Sequence, residues 1–117
     1  MVDPVPLRRP VRWTALRSDE AEQIIRDWSQ DTGRVVITDH AFERVDEREA
    51  DGLDTMTVYK VLQTGQVFGD PVRNERGHWQ ATMARRMPGG RDACVVTVIV
   101  TDDRTLIVRT VMWRDLT

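Results

Sequence analysis

Ala93-Cys94-Val95-Val96-Thr97-Val98-Ile99-Val100-Thr101 is the stretch whose reading decides the fold. It is apolar on both faces of a period-2 pattern and rich in β-branched residues, as expected of a strand buried on both sides. It has the length of one strand and is too short to span a bilayer. It therefore reads as the central strand of a sheet. Before it, Met87-Pro88-Gly89-Gly90 forms a turn in which Gly90 supplies the positive φ. His78 to Arg86 alternates, with Trp79, Ala81, Met83 and Arg85 sharing one face. After it, Asp102-Asp103-Arg104 turns the chain into a further strand, Thr105 to Trp113. Gln66 to Phe68 is a short strand broken by Gly69-Asp70-Pro71. From Gln66 onward the chain reads as an antiparallel meander.

Upstream of Gln66 the period is 3.6. Ser18 is placed to cap a helix over about Asp19 to Asp31, with acids in its first turn and Gly33 just beyond its end. Ala21, Ile24, Ile25 and Trp28 form its apolar stripe. Arg34 to Thr38 holds Val35, Val36 and Ile37, a β-branched run that serves as a strand or as the lead-in to a second helix. That helix covers about Asp39 to Glu49 and ends near Ala50-Asp51-Gly52. A third starts at Asp54 or Thr55, buries Val58, Val61 and Leu62, and ends at Gly65. Two or three N-terminal helices on a four- or five-stranded antiparallel sheet make an α+β domain. Residues 1–17, with Pro4, Pro6 and Pro10 among arginines, form an extended arm, and residues 18–117 form the single domain.

The chain has 117 residues and a net charge of −2, which argues against a protein that binds nucleic acid by overall charge alone. The distribution says more than the sum. Residues 1–17 carry a net +3, residues 18–53 a net −7 and residues 72–92 a net +3. An anionic ligand should therefore meet Arg85, Arg86 and Arg91, with the acidic helices facing elsewhere. A single cysteine, Cys94, excludes an intramolecular disulfide framework. No signal peptide or membrane span is legible, so a soluble, cytoplasmic protein with no membrane partner is expected. His40 and His78 stand far apart with no paired cysteines, and no phosphate-binding glycine loop is present, so no metal and no cofactor are expected. The two serines, Ser18 and Ser29, both lie on the acidic first helix, which argues against a serine nucleophile.

The chemistry that remains belongs to arginine and histidine. In Thr38-Asp39-His40-Ala41-Phe42-Glu43-Arg44-Val45-Asp46-Glu47-Arg48, the residues His40, Arg44 and Arg48 step up one side of a helix, while Ala41, Phe42 and Val45 cluster on the other. Capping by Thr38 or Asp39 puts His40 in the first turn, where the helix dipole favours the neutral imidazole. The competing account is a solvated surface, in which Glu43, Glu47 and Glu49 pair with the arginines for about 0.2–0.5 kcal/mol each. Cleaving RNA without a metal requires a base for the 2′-OH, cations for the phosphorane and an acid for the 5′-oxygen. Histidine and arginine forks suit those tasks.

Four segments together resemble a small family of prokaryotic domains grouped with the RelE-like ribonuclease toxins, near the MqsR and BrnT branches. They are the start of the second helix from Thr38 to Arg44, the passage from Val61 to Val67, Gly89-Gly90-Arg91 before the central strand, and the closing run from Ile107 to Trp113. The resemblance spans about Asp19 to Trp113. It implies a metal-independent endoribonuclease toxin that cuts RNA, free or on the ribosome, and is restrained by a cognate antitoxin protein. His40 and Arg44 match the family's signature pair, and Arg91 matches the basic residue opening the central strand. Carried over, the resemblance makes His40, Arg44 and Arg91 catalytic and puts Trp113 against substrate; helix spacing adds Arg48, the charge distribution adds Arg85, and Lys60, pointing away from the apolar stripe of the third helix, is a further substrate-binding candidate. Trp113 stands where relatives usually have tyrosine; an indole cannot serve as a phenolic acid but can stack on a base. The one lysine, Lys60, also departs from lysine-rich toxins. Two rival expectations are an inactive module of the same fold that binds a protein or nucleic acid, and a subunit whose arm, Met1 to Trp13, docks on another chain.

Overall fold

The computed structural model describes residues 11–48 and 53–114, the side chains of 46–48 excepted. Residues 1–10 of the arm, the expected helix end at Ala50-Asp51-Gly52 and the Arg48 side chain lie outside the described residues.

Three helices precede the meander: α1 (Ser18–Trp28), α2 (Asp39–Arg48) and α3 (Thr55–Thr64). The strands are β1 (Val35–Ile37), β2 (Gln66–Arg73), β3 (Trp79–Arg86), β4 (Asp92–Val100) and β5 (Thr105–Trp113). They form one five-stranded sheet in the order β1-β5-β4-β3-β2, which places β4 in the middle. The domain is α+β, with its helices N-terminal to the β2–β5 meander. The sheet is mixed, because β1 pairs parallel with β5. Four hairpin-linked strands follow the helices, and of the two edges they leave open the first strand takes that of β5.

α1 buries Ala21, Ile24 and Ile25, and Trp28 packs against the core at its end. Its N-cap is Arg17, one residue before the expected Ser18. Glu20 reaches back to accept a hydrogen bond from the Arg17 amide at 3.0 Å, while the Ser18 hydroxyl donates to the Gly69 carbonyl at 3.1 Å. Glu20, at the third helical position, satisfies a free end amide in place of Ser18. α1 stops at Trp28, and a single 3₁₀ turn, Thr32–Arg34, with the Asp31 carboxylate accepting from the Gly33 amide, leads into β1. β2 runs through the expected break at Gly69-Asp70-Pro71, because a register shift between Phe68 and Val72 absorbs the extra residues. In the β3–β4 turn both Gly89 and Gly90 adopt positive φ, 95° and 82°.

The alternation along β3, β4 and β5 divides the sheet. Ala81, Met83, Ala93, Val95, Ile99, Leu106, Val108 and Val111 join the helices in one core. Cys94 and Val98 are equally buried yet stand outside that core, on the face without helices. Long polar side chains from the flanking strands cover them. Arg109 in β5 donates to the Gln80 side chain of β3 at 2.9 Å, and Gln80, Val98 and Ile107 are cross-strand neighbours. Arginine stems shield apolar floor while their heads stay wet.

The described part of the arm is docked. Val11 packs against the core, and the Trp13 carbonyl accepts hydrogen bonds from Arg73 at 2.7 Å and from the Trp79 indole at 2.6 Å. Among the described residues, no helix is long and apolar enough to cross a membrane.

Candidate functional site at the hairpin end of the sheet

Cross-strand register puts two of the expected site residues, Arg85 and Trp113, on one face of the sheet. Arg85 lies opposite Ala93, and Ala93 lies opposite Trp113, so all three share the helix-facing side at the β3–β4 hairpin end. Arg91, leaving the turn, sets its guanidinium 4.3 Å from the Trp113 ring centroid, a cation–π contact. Arg85 points a guanidinium nitrogen at the Met87 sulfur, 3.3 Å away, and Met87 packs against the core. The Trp113 ring also packs on the core, and its buried Nε1–H has no acceptor among the described residues. Arg91 thus occupies a face of the indole, and Arg85 stands on the same side of the sheet with β4 between it and Trp113.

His40 is held elsewhere. It is the second residue of α2 and exposed, whereas Ala41 beside it is buried. Thr38 is the cap: its hydroxyl oxygen accepts from the Ala41 amide at 3.2 Å, and its O–H donates to the Val108 carbonyl at 3.1 Å. The Thr38 amide also donates to Val108, at 3.2 Å. The start of α2 is therefore pinned to β5 at Val108, roughly 15 Å of strand before Trp113. No described hydrogen bond or ion pair links His40 to Arg85, Arg91 or Trp113. Arg44 is half-buried on α2, and Lys60 is exposed on α3. His78 is half-buried where β3 begins, its amide donating to the Asn74 side chain at 3.0 Å, beside a cavity of about 180 Å³ that Trp13, Arg73 and Trp79 also line.

The opposite face of the same hairpin end carries a second group, of which only Arg86 stands out in the sequence. Arg86 Nε donates to Asp92 Oδ1 at 2.5 Å, and Arg114 Nη1 lies 3.6 Å from Asp92 Oδ2. The Arg114 amide donates to the Asp92 carbonyl at 2.7 Å, which fixes the end of β5 against β4. From there the Arg114 guanidinium crosses to β2 and stacks on Phe68, 3.7 Å from the ring centroid. A cavity of about 280 Å³ opens beside these groups, lined among others by Gln66, Phe68, Ala84, Arg86, Asp92 and Arg114. The hydrogen bond from Arg86 holds the Asp92 carboxyl below the usual carboxylate range, burial opposing, and the Arg86 and Arg114 charges add to the effect. Burial pushes the Cys94 thiol up; Arg114 partly opposes this and Asp92 adds to it.

Phe68 and Arg114 stand 46 positions apart in sequence, and only the β2–β3–β4–β5 register brings them within reach. Their period-2 parity was the available signal, but parity assigns a face without naming neighbours. Among the described residues, no group of three or more His, Cys, Asp or Glu side chains is placed to hold a metal ion. Comparison with models of known protein families, with curated proteins and with solved structures returns no match.

Proposed function

We propose that this domain is a metal-independent endoribonuclease of the RelE-like toxin kind, acting on RNA and restrained by a cognate antitoxin protein. The observation that carries the reading is the Arg91–Trp113 contact at the hairpin end, with Arg85 on the same face of the sheet. Two guanidiniums and an indole on one face of the sheet, in a domain with net charge −2, suit a phosphodiester and its base. In this reading Arg44, Arg85 and Arg91 hold the scissile phosphate, Arg48 and Lys60 steady the strand and Trp113 stacks on a base. His40 acts as general base or acid. The 2′-oxygen loses its proton and bonds to phosphorus, the P–O5′ bond breaks, and the 5′-oxygen takes up a proton. The products are a 2′,3′-cyclic phosphate and a 5′-hydroxyl.

The separation of His40 from the arginine–tryptophan contact favours a second reading, an inactive RelE-like module that binds RNA or a protein partner. End-labelled RNA incubated with purified protein in excess chelator, with and without ribosomes, separates the two. Cyclic-phosphate fragments that vanish in His40→Ala and Arg44→Ala support the nuclease. Intact RNA in both conditions, or equal cutting by both variants, leaves the binding module.

A further inference from the structure

We propose that the cavity on the helix-free face is a nucleotide site, with the phosphate bridging Arg86 and Arg114 and the base against Phe68. The site stands apart from His40 and does not depend on RNA cleavage. Asp92 already shows what the two guanidiniums select. Its Oδ1 takes Arg86 and its Oδ2 faces Arg114, so one carboxylate spans the pair as a phosphate would. The clamp is far from saturated. Arg86 spends only its Nε on Asp92 and Arg114 turns only Nη1 toward it, which leaves most of five N–H donors on each with no described partner. Those side chains are 69% and 47% exposed, against 18% for Asp92, so the free donors face solvent while the carboxylate lies beneath them. Two cations over one anion leave a net positive seat that a phosphate neutralises.

The aromatic ring narrows the ligand class. Phe68 is half exposed, carries Arg114 on one face and borders the same cavity, so a phosphate held by the arginines brings its attached group within reach of the exposed part of the ring. Basic groups interleaved with an exposed aromatic ring are the usual platform for a nucleobase and its phosphate. A volume of about 280 Å³ is at the small end of ligand pockets and suits one nucleotide. Gln66 contributes an amide that can both donate and accept at the base edge.

The test is a ¹H–¹⁵N NMR titration of the whole chain with adenosine 5′-monophosphate, inorganic phosphate, adenosine and a short single-stranded oligonucleotide. The monophosphate should move the amides of Gln66, Phe68, Ala84 and Arg114 saturably and bind more tightly than phosphate or adenosine. Arg114→Ala and Arg86→Ala should each weaken it by about tenfold, the loss of one charge-assisted contact. Phe68→Ala should weaken the monophosphate and leave inorganic phosphate unchanged. Asp92→Asn, which removes the resident anion, should tighten both. His40→Ala should change nothing, so this site and the cleavage reading fail separately. Tighter binding of the oligonucleotide would place the site on a strand path, whereas equal binding would make it a mononucleotide site; both uphold it. The proposal is overturned if millimolar monophosphate leaves those amides unmoved, if adenosine binds as well as the monophosphate, or if the shifts survive in the Arg86→Ala/Arg114→Ala double variant.

Discussion

Gly65→Ala should destabilise this domain although the backbone there is one alanine readily adopts. Gly65 has φ −78° and ψ −174°, an ordinary extended conformation. On conformational grounds alone, alanine would stabilise by about 0.4–1 kcal/mol through the unfolded chain. Space decides otherwise. A Cβ at Gly65 would lie 2.5 Å from the Val61 carbonyl oxygen and 2.7 Å from that of Ala84, both backbone atoms. C–H···O contacts settle at about 3.3 Å or more. Retreat from either oxygen is blocked, because the Gly65 amide donates to Val61 at 2.8 Å, the Gly65 carbonyl accepts from Arg26 at 2.7 Å, and Gln66 is already paired with Ala84. Overpacking costs about 1–3 kcal/mol and a strained backbone hydrogen bond about 1 more, so after the unfolded-chain gain the net penalty is about 1–3 kcal/mol. In urea, followed by far-UV circular dichroism, the midpoint should fall by about 1–2 M at unchanged slope. Gly33→Ala is the control: its Cβ would meet only the Asp31 side chain, at 3.1 Å, and its stability should stay within about 0.5 kcal/mol of the parent. A Gly65→Ala protein as stable as the parent would refute the steric reasoning.

Thr38→Val removes a hydroxyl that both caps α2 and bonds to Val108, so thermal unfolding should show a loss of about 1–2 kcal/mol, with RNA cleavage falling in parallel if His40 is the proton-transfer group. The Asp54 carboxylate accepts from the Thr57 amide and hydroxyl, both at 2.8 Å, and these bonds hold its pKa below the usual range. A group depressed in the folded state stabilises above its unfolded pKa and loses that contribution as pH falls through the folded value, so the gap between parent and Asp54→Ala, about 1 kcal/mol at neutral pH, should close below about pH 4 in parallel urea titrations. Cys94 is 2% exposed with its thiol raised by burial, so a thiol reagent should label the native protein only slowly and the urea-unfolded protein at the rate of a free thiol; fast native labelling would contradict the packing of the helix-free face.

The helices and the order of the meander were legible because burial leaves periodic marks. Ile24 and Ile25 on α1, Val61 and Leu62 on α3 and the run from Cys94 to Val100 all lie where their spacing puts them. Pairing was not legible. Val35 to Ile37 carries no sign that its partner is Leu106 to Val108, some seventy residues on, because a three-residue strand specifies no register by itself. The continuity of β2 was hidden because Gly69-Asp70-Pro71 has the composition of a turn and serves as a bulge. At the site, Arg85 and Trp113 share a face by simple alternation. The Arg114–Phe68 stack depends on four strands being in register and on one long side chain lying across them.

The parallel seam between β1 and β5 governs the order of assembly. β1 is an edge strand whose single neighbour is β5, and Thr38, just beyond it, is tied to the same strand. During synthesis the three helices leave the ribosome first, and β1 must wait for almost the whole remaining chain before it can pair. Contacts that close so long a loop form late and slow folding. A nascent chain stalled before Thr105 would lack β5, so β1 would have no partner and α2, which presents His40, would have no strand to anchor it. Completion of the last strand is thus the step that seats both β1 and α2 on the sheet.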